Sequence, residues 1–206
     1  MSSPAAIGFR AHSGWAAAVA LVQAGGRLPE APVVVARRRI EMRECGAAGP
    51  WQPYHAAVGL DIHEARQHVE ACAARAAAQA AIGLRGMLED LRQLGHPVVG
   101  CGLLLGSGRP LPPLEKILTA HPLLHTAEGE LFREALRAAS RECGLPVTAF
   151  RERELHATAI AEMHLERCDL DQLMTAMGKA IGPPWTTDQK HAALAAWMAL
   201  AALGGR

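Results

Sequence analysis

The sequence predicts an α/β fold whose sheet opens with an antiparallel three-strand meander and continues in alternating helices and strands. Three observations carry this. β-type runs separated by turn signals fill the region up to Met42. A long alanine-rich helical pattern follows over residues 61–94. Val98–Leu105 is then a continuous apolar run, the pattern of a strand buried on both faces. Beyond it, helical patterns surround one further short strand.

Each element has a local reason. Residues 7–11 alternate as a strand, and His12-Ser13-Gly14 reads as a turn. Trp15–Val22 reads as the second strand, although its alanines also suit a helix. Gly25, Gly26 and Pro29 break the chain, and the β-branched run after Pro32 forms the third strand. Residues 44–60, with Gly46, Gly49, Pro50 and Pro53, read as irregular. Asp61 and Glu64 have the spacing of a capping box for the long helix, which ends near Gly95. A short helix is expected near 113–120, and Thr126 as the N-cap of a second long helix ending at Cys143-Gly144. Val147–Phe150 is a short strand that runs into Arg151-Glu152-Arg153-Glu154. Helices are expected from about 155, from Asp169, and from a Thr187 cap to about Leu203, with Trp185 stapling the last one to the body.

Composition narrows the function. The 206 residues are 50% hydrophobic, with only three Phe and one Tyr, so close alanine-lined packing of helices on the sheet is expected. A net charge of +1 gives no global pull toward nucleic acid or acidic lipid, and such a partner would need a local patch. The five cysteines, Cys45, Cys72, Cys101, Cys143 and Cys168, include no C-x-x-C pair, which argues against a disulfide framework or zinc ribbon and suits a reducing compartment. Arg10 and His12 interrupt the apolar N-terminal stretch, so no secretory signal is expected, and Trp15–Val22 is too short to span a bilayer. The expectation is one cytoplasmic domain over residues 1–206 with no membrane partner, no cofactor and an open oligomeric state.

The order strand–strand–strand–helix–strand–helix–strand–helix resembles the ribonuclease-H-like superfamily, which includes Holliday junction resolvases, transposases and actin-like ATPase domains. The last helix adds a local likeness: Asp188-Gln189-Lys190-His191, then Ala192-Ala193-Leu194-Ala195, is similar to the resolvases' final helix, an acid before an Ala/Leu run. The resemblance covers residues 5–203 and extends to bacterial families that share the layout without the usual metal-binding carboxylates. It implies a three-layer fold around a central mixed sheet. It also implies a contrast. Nuclease members hold two divalent metals with an Asp on the first strand and an acid at the end of the fourth. Here the first strand carries Arg10 and His12, and the fourth carries Gly100, Cys101 and Gly102, so a Mg²⁺ pair lacks its oxygen ligands. The actin-like phosphate turn needs an Asp that His12-Ser13-Gly14 lacks. Layout alone therefore does not license the chemistry.

The candidate site is read from the residues. Strand parity puts Arg10 and His12 on one face and Ile7 and Phe9 on the other. With Ser13 they form a cationic, proton-transferring corner suited to phosphate or carboxylate, or else a solvated strand end. In Arg37-Arg38-Arg39, alternation places Arg38 with Val34, Ala36 and Ile40, where its fork suits a phosphate; Arg37 and Arg39 also read as edge-strand charges. Gly106-Ser107-Gly108-Arg109 could touch phosphate but is not a P-loop. His121, His125, Glu128 and Glu130 gather around the expected helix start at Thr126, an anion site by its free N–H groups, with Arg133 adding charge. Pro122 argues against a regular helical ligand pair of His121 and His125, and a zinc site would need His55 or His156, which spacing does not supply. No metal is therefore expected, and Cys101 reads as a small core residue.

The expected roles are proton transfer by His12, His125 and Glu128, and ligand binding by Arg10, Ser13, Arg38, Thr126, Arg133 and Asp188. The first functional reading is a domain handling a phosphate-bearing ligand, nucleotide or nucleic acid, through a His/Arg site rather than two metals. The second is a non-catalytic binding or assembly module on a degenerate ribonuclease-H-like fold, and the third a metal-dependent nuclease. Whether the chain is an enzyme stays open. Convergence of Arg10, His12, Arg38, His125 and Glu128 in one cleft would favour the first; scatter would favour the second.

Overall fold

A computed structural model of the chain describes residues 3–23, 32–43, 51–106 and 110–204. Strands β1 (Ala5–His12), β2 (Trp15–Val22) and β3 (Val33–Glu41) form the antiparallel meander. β4 (Val98–Leu105) lies parallel to β1, and β5 (Val147–Arg151) parallel to β4. The sheet order is β3-β2-β1-β4-β5. The helices are α1 (Pro53–Ala56), α2 (Ile62–Gln93), α3 (Leu114–Leu118), α4 (His121–Glu142), α5 (Leu155–Met163), α6 (Arg167–Ile181) and α7 (Thr187–Gly204), with a 3-10 turn at Glu152–Glu154. This is the three-layer, mixed-sheet, ribonuclease-H-like arrangement. No described helix is long and apolar enough to cross a membrane.

The two faces of β2 show why an alanine-rich segment is a strand here. Ala16, Ala18 and Ala20 pack under α2 and α4 with Ile7, Phe9, Leu84, Met87 and Phe132. Val19 and Leu21 point the other way, toward Leu155, Met174 and Trp197. Both faces are dry, so β2 needs small and apolar side chains on both rather than polar alternation. The β2–β3 register shifts between Ala20, opposite Ala36, and Leu21, opposite Val34, leaving Val35 unpaired. That bulge moves Val34 to the α7 side while Ile40 stays on the α2 side. The expectation that Val34 shares a face with Arg38 and Ile40 is thereby corrected.

Helix α7 sits directly on the sheet. A Cβ at Gly8 or Gly102 would drive into the backbone of Ala192 or Ala195. Glycine on the strands and alanine on the helix thus permit the close approach that the composition suggested. The start of α7 is a capping box: Thr186 N–H donates to Gln189 Oε1 (3.0 Å), and Gln189 N–H meets Thr186 Oγ1 (3.4 Å). The cap is therefore Thr186, one residue before the expected Thr187. Trp185 does staple this region: its indole donates to Met174 O (3.0 Å).

Asp61 caps α2 by accepting from the His63 N–H (2.8 Å). Helix α4 departs from expectation. It begins at His121 with Pro122 in its first turn, where a missing N–H costs nothing. Thr126 lies inside the helix, its hydroxyl donating to Pro122 O (2.9 Å), and is not an N-cap. The irregular stretch before Asp61 contains the one-turn helix α1.

Gly8→Ala should destabilise the fold by roughly 3 kcal/mol or more, because the obstruction is backbone and cannot rotate away. Chemical denaturation measures this; a Gly8→Ala protein as stable as the parent would contradict the close seating of α7.

Candidate functional site

β1, β4 and β5 run in parallel and end on one edge of the sheet, where α7 begins. Arg10, near the end of β1, reaches both neighbours. Its Nε and Nη2 donate to Glu152 Oε1 at 3.1 and 2.6 Å, and its Nη1 donates to Asp188 Oδ1. The His12 Nε2 lies 3.0 Å from the same Asp188 oxygen. His191, on the same face of α7 as Asp188, places Nδ1 3.5 Å from Glu152 Oε1, beyond good hydrogen-bond geometry. The His156 ring stands 5.5 Å from that of His191.

The electrostatics follow from this packing. Burial and then the Arg10 charge hold His12 below its ordinary pKa, and the same two causes act on His191. Burial pushes Glu152 up, but the Arg10 hydrogen bond and charge, with His191, outweigh it and hold the carboxyl below the usual range. The corner thus sets one guanidinium between two acidic side chains, beside two imidazoles whose charged form burial and that guanidinium disfavour. Next to it, Trp15 stacks on His12 with ring centroids 4.3 Å apart, and the Arg39 guanidinium lies 3.9 Å from the Trp15 ring centre. Arg39 also pairs with Glu41. The Arg133 guanidinium packs against Gly106, just past β4, and pairs with Glu130 (3.5 Å).

A second cluster lies at the start of α4. His121 and His125 stand one turn apart, with ring centroids 4.5 Å apart, and His55 of α1 meets them at 5.5 and 4.8 Å. One ring nitrogen from each can be chosen so that all three lie within 4.8 Å of one another. Behind them Glu128 is buried, its side chain 3% exposed. Its Oε1 accepts from the N–H groups of Tyr54 (2.8 Å) and His55 (3.2 Å) and lies 3.2 Å from His55 Nδ1. Its Oε2 is buried with no hydrogen-bond partner. Burial pushes the Glu128 carboxyl up against those hydrogen bonds.

The expected site residues therefore divide. Arg10, His12 and Asp188 come together. His125 and Glu128 belong with His55 and His121, and no described interaction joins them to His12. Arg38 pairs with Asp90 of α2, on the far face from Arg10. Arg37 donates to the carbonyls of Gly182, Pro183 and Pro184, tying β3 to the loop before α7. Ser13 is exposed in the β1–β2 turn. Thr126 is not at a helix start, and Ser107-Gly108-Arg109 lies outside the described residues. The five-residue convergence is not formed. Cys101 is a core residue, its thiol pushed up to about 12 by burial.

Sequence reasoning missed Glu152 and His191. Glu152 directly follows a strand on the carboxyl edge, where α/β sheets place ligands. His191 follows Asp188 at i+3, on the same helix face. Pro122 does not prevent the helical pairing of His121 and His125, because it lies in the first turn of α4. His55, one of two residues suggested as a third partner, is the one that arrives.

The two-metal arrangement implied by the superfamily resemblance does not fit this corner. Two carboxylates are present, Glu152 and Asp188, but the Arg10 guanidinium already lies on both. A divalent pair there would face a fixed positive charge. The cation is built into the chain.

Stability should fall in two steps on acidification. His12 and His191 titrate lower folded than unfolded, so below about pH 6.5 the unfolded chain binds protons first and stability drops. Glu152, also depressed, adds a further loss as pH falls below about 4.3 toward its folded value. Arg10→Met should shrink the histidine step, whose larger cause is burial, and remove the Glu152 step in pH-dependent denaturation; an unchanged profile would show that Arg10 does not contribute to these pKa values.

No protein-family model matches the chain, and no curated protein matches it in sequence. Solved structures match in shape. A Thermus thermophilus RuvC structure aligns at TM-score 0.55 and 13% identity, over 98% of this chain and 96% of that one. T. thermophilus RuvC in complex with Holliday junction substrate aligns at TM-score 0.54 and 10% identity, over the same shares. At these identities the likeness is one of fold, and it extends over nearly the whole chain: the protein has the ribonuclease-H-like fold in the form seen in RuvC.

Proposed function

We propose that the chain binds a phosphate-bearing ligand, nucleic acid foremost, at the carboxyl edge of its sheet, and does so without two-metal cleavage there. The observation that carries this reading is the Arg10 guanidinium bridging Glu152 and Asp188. It converts a place suited to divalent metals into an internal ion pair and leaves the surrounding surface to binding. That surface has the right elements. The half-exposed Trp15, flanked by His12 and Arg39, offers an aromatic edge beside a cation to a phosphate-bearing ligand, and Arg133 lies on the same edge. The match to a RuvC structure solved with a Holliday junction substrate supports nucleic acid as the class to test first.

The same ion pairs favour a second reading, a non-catalytic assembly module. Arg10, Arg39 and Arg133 each already face a carboxylate, so fewer charges are left for phosphate. The two readings separate on whether nucleic acid binds at all.

Fluorescence anisotropy with four-way junction, duplex and single-stranded DNA should show binding that weakens with salt at a shallow slope, reflecting about one to three phosphate contacts. Trp15→Ala or Arg39→Ala should weaken it about tenfold, because each removes part of the aromatic–cation group that would meet the ligand. No cleavage should appear with Mg²⁺ or Mn²⁺. Metal-dependent cleavage would contradict the proposal. Absence of binding by folded protein would leave the assembly reading in its place.

A further inference from the structure

We propose that His55, His121 and His125 form a site for a borderline divalent metal ion of the Zn²⁺ class, oriented by Glu128 and keeping an open coordination position. The site does not involve the Arg10 corner and does not depend on nucleic-acid binding.

The donor set selects the metal. Three imidazoles suit Zn²⁺ and its late first-row neighbours, whereas Mg²⁺ and Ca²⁺ need oxygens that this cluster does not present. Tetrahedral coordination with Zn–N bonds of about 2.0–2.1 Å places ligand nitrogens roughly 3.4 Å apart. The three nitrogens lie within 4.8 Å of one another, so a modest contraction closes the site. The residues that must move are free to do so. His121 and His125 are exposed and extend from the first turns of α4, so rotation about their side-chain bonds suffices. His55 is the fixed point.

Glu128 provides an independent sign of a built site. A carboxylate buried to this degree is costly unless its bonds serve a purpose. It accepts from two backbone N–H groups of α1 and faces His55 Nδ1 at 3.2 Å. With Nδ1–H donating to Glu128, Nε2 is the His55 nitrogen left with a lone pair for a metal. This is the carboxylate–histidine arrangement that fixes tautomer and ring orientation at metal centres. Pro122 contributes by starting α4 at His121, which brings His121 and His125 onto one face at i, i+4. Three protein ligands beside solvent leave the fourth position for water or a ligand atom, the layout of a reactive rather than a closed structural site.

The test uses the 206-residue chain without an affinity tag. Equilibrium dialysis against Zn²⁺ should load one ion per chain, and Co²⁺ substitution should give the visible absorption of a four- or five-coordinate nitrogen site. His121→Ala and His125→Ala should each weaken Zn²⁺ binding at least 100-fold and abolish the Co²⁺ band, with the metal-free melting curve unchanged because both side chains are exposed. Glu128→Gln should weaken binding 10–100-fold. His63→Ala, at an exposed histidine on α2, should leave binding at the parental level. Failure to load one Zn²⁺ per chain, or binding that survives both His121→Ala and His125→Ala, would overturn the proposal. If Glu128→Gln does not fold, the two histidine variants alone decide the site, and Zn²⁺ raising the melting temperature of the parent but not of His121→Ala decides it by a second route.

Discussion

The Arg10 guanidinium, placed between the carboxylates of Glu152 and Asp188, is the interaction on which the rest of this structure turns. It joins the end of β1, the turn after β5 and the first turn of α7. Three segments far apart in sequence are thereby pinned at one edge of the sheet. Because the side chains are only a fifth to a third exposed, losing the cation would leave two half-buried acids facing one another. A cost of about 1–3 kcal/mol is expected, below that of a fully buried pair. Burial first, and the same charge second, hold the two neighbouring histidines below their ordinary pKa. A metal ion would serve the same electrostatic purpose, and here the chain supplies it covalently.

The glycines and alanines complete that arrangement. Asp188 reaches Arg10 only because α7 lies in backbone contact with β1 and β4, and that contact exists because Gly8 and Gly102 lack side chains. Alanine at 192, 195, 196 and 199 keeps the helix smooth, and Trp197 fills the space between the layers. The alanine-rich, aromatic-poor composition is thus the material form of the close helix–sheet seat. On the other face, α2 and α4 use bulkier residues, Leu84, Met87 and Phe132, and leave room for the histidine cluster where α4 meets α1.

Much of the fold was legible in the residues. The β-branched run of β3, the buried run of β4, the Asp61 cap of α2 and the acid-led α7 all carry strong local signals. The start of α4 did not. Thr126 looks like an N-cap, but Pro122 is acceptable only in a first turn, and the helix begins early enough to put it there. Strand parity also failed at one place, Val34, because a bulge at Val35 has no sequence marker here. The candidate site was half legible. Arg10, His12 and Asp188 were each identifiable, but their carboxylate partner Glu152 is set by topology, since only the β4–β5 pairing brings it beside β1. The link from His55 to α4 is likewise tertiary, spanning more than sixty residues.

The central claim is that the Arg10 guanidinium fills the cation position between Glu152 and Asp188. Thermal unfolding with and without Mg²⁺ or Mn²⁺, for the parent and for Arg10→Ala, tests it directly. The parent should melt at the same temperature with either ion, because the guanidinium fills the cation position. Arg10→Ala should melt lower without metal and recover part of the loss when Mg²⁺ or Mn²⁺ can bind Glu152 and Asp188. A parent protein stabilised by these ions, with Glu152→Gln or Asp188→Asn abolishing the effect, would contradict the account.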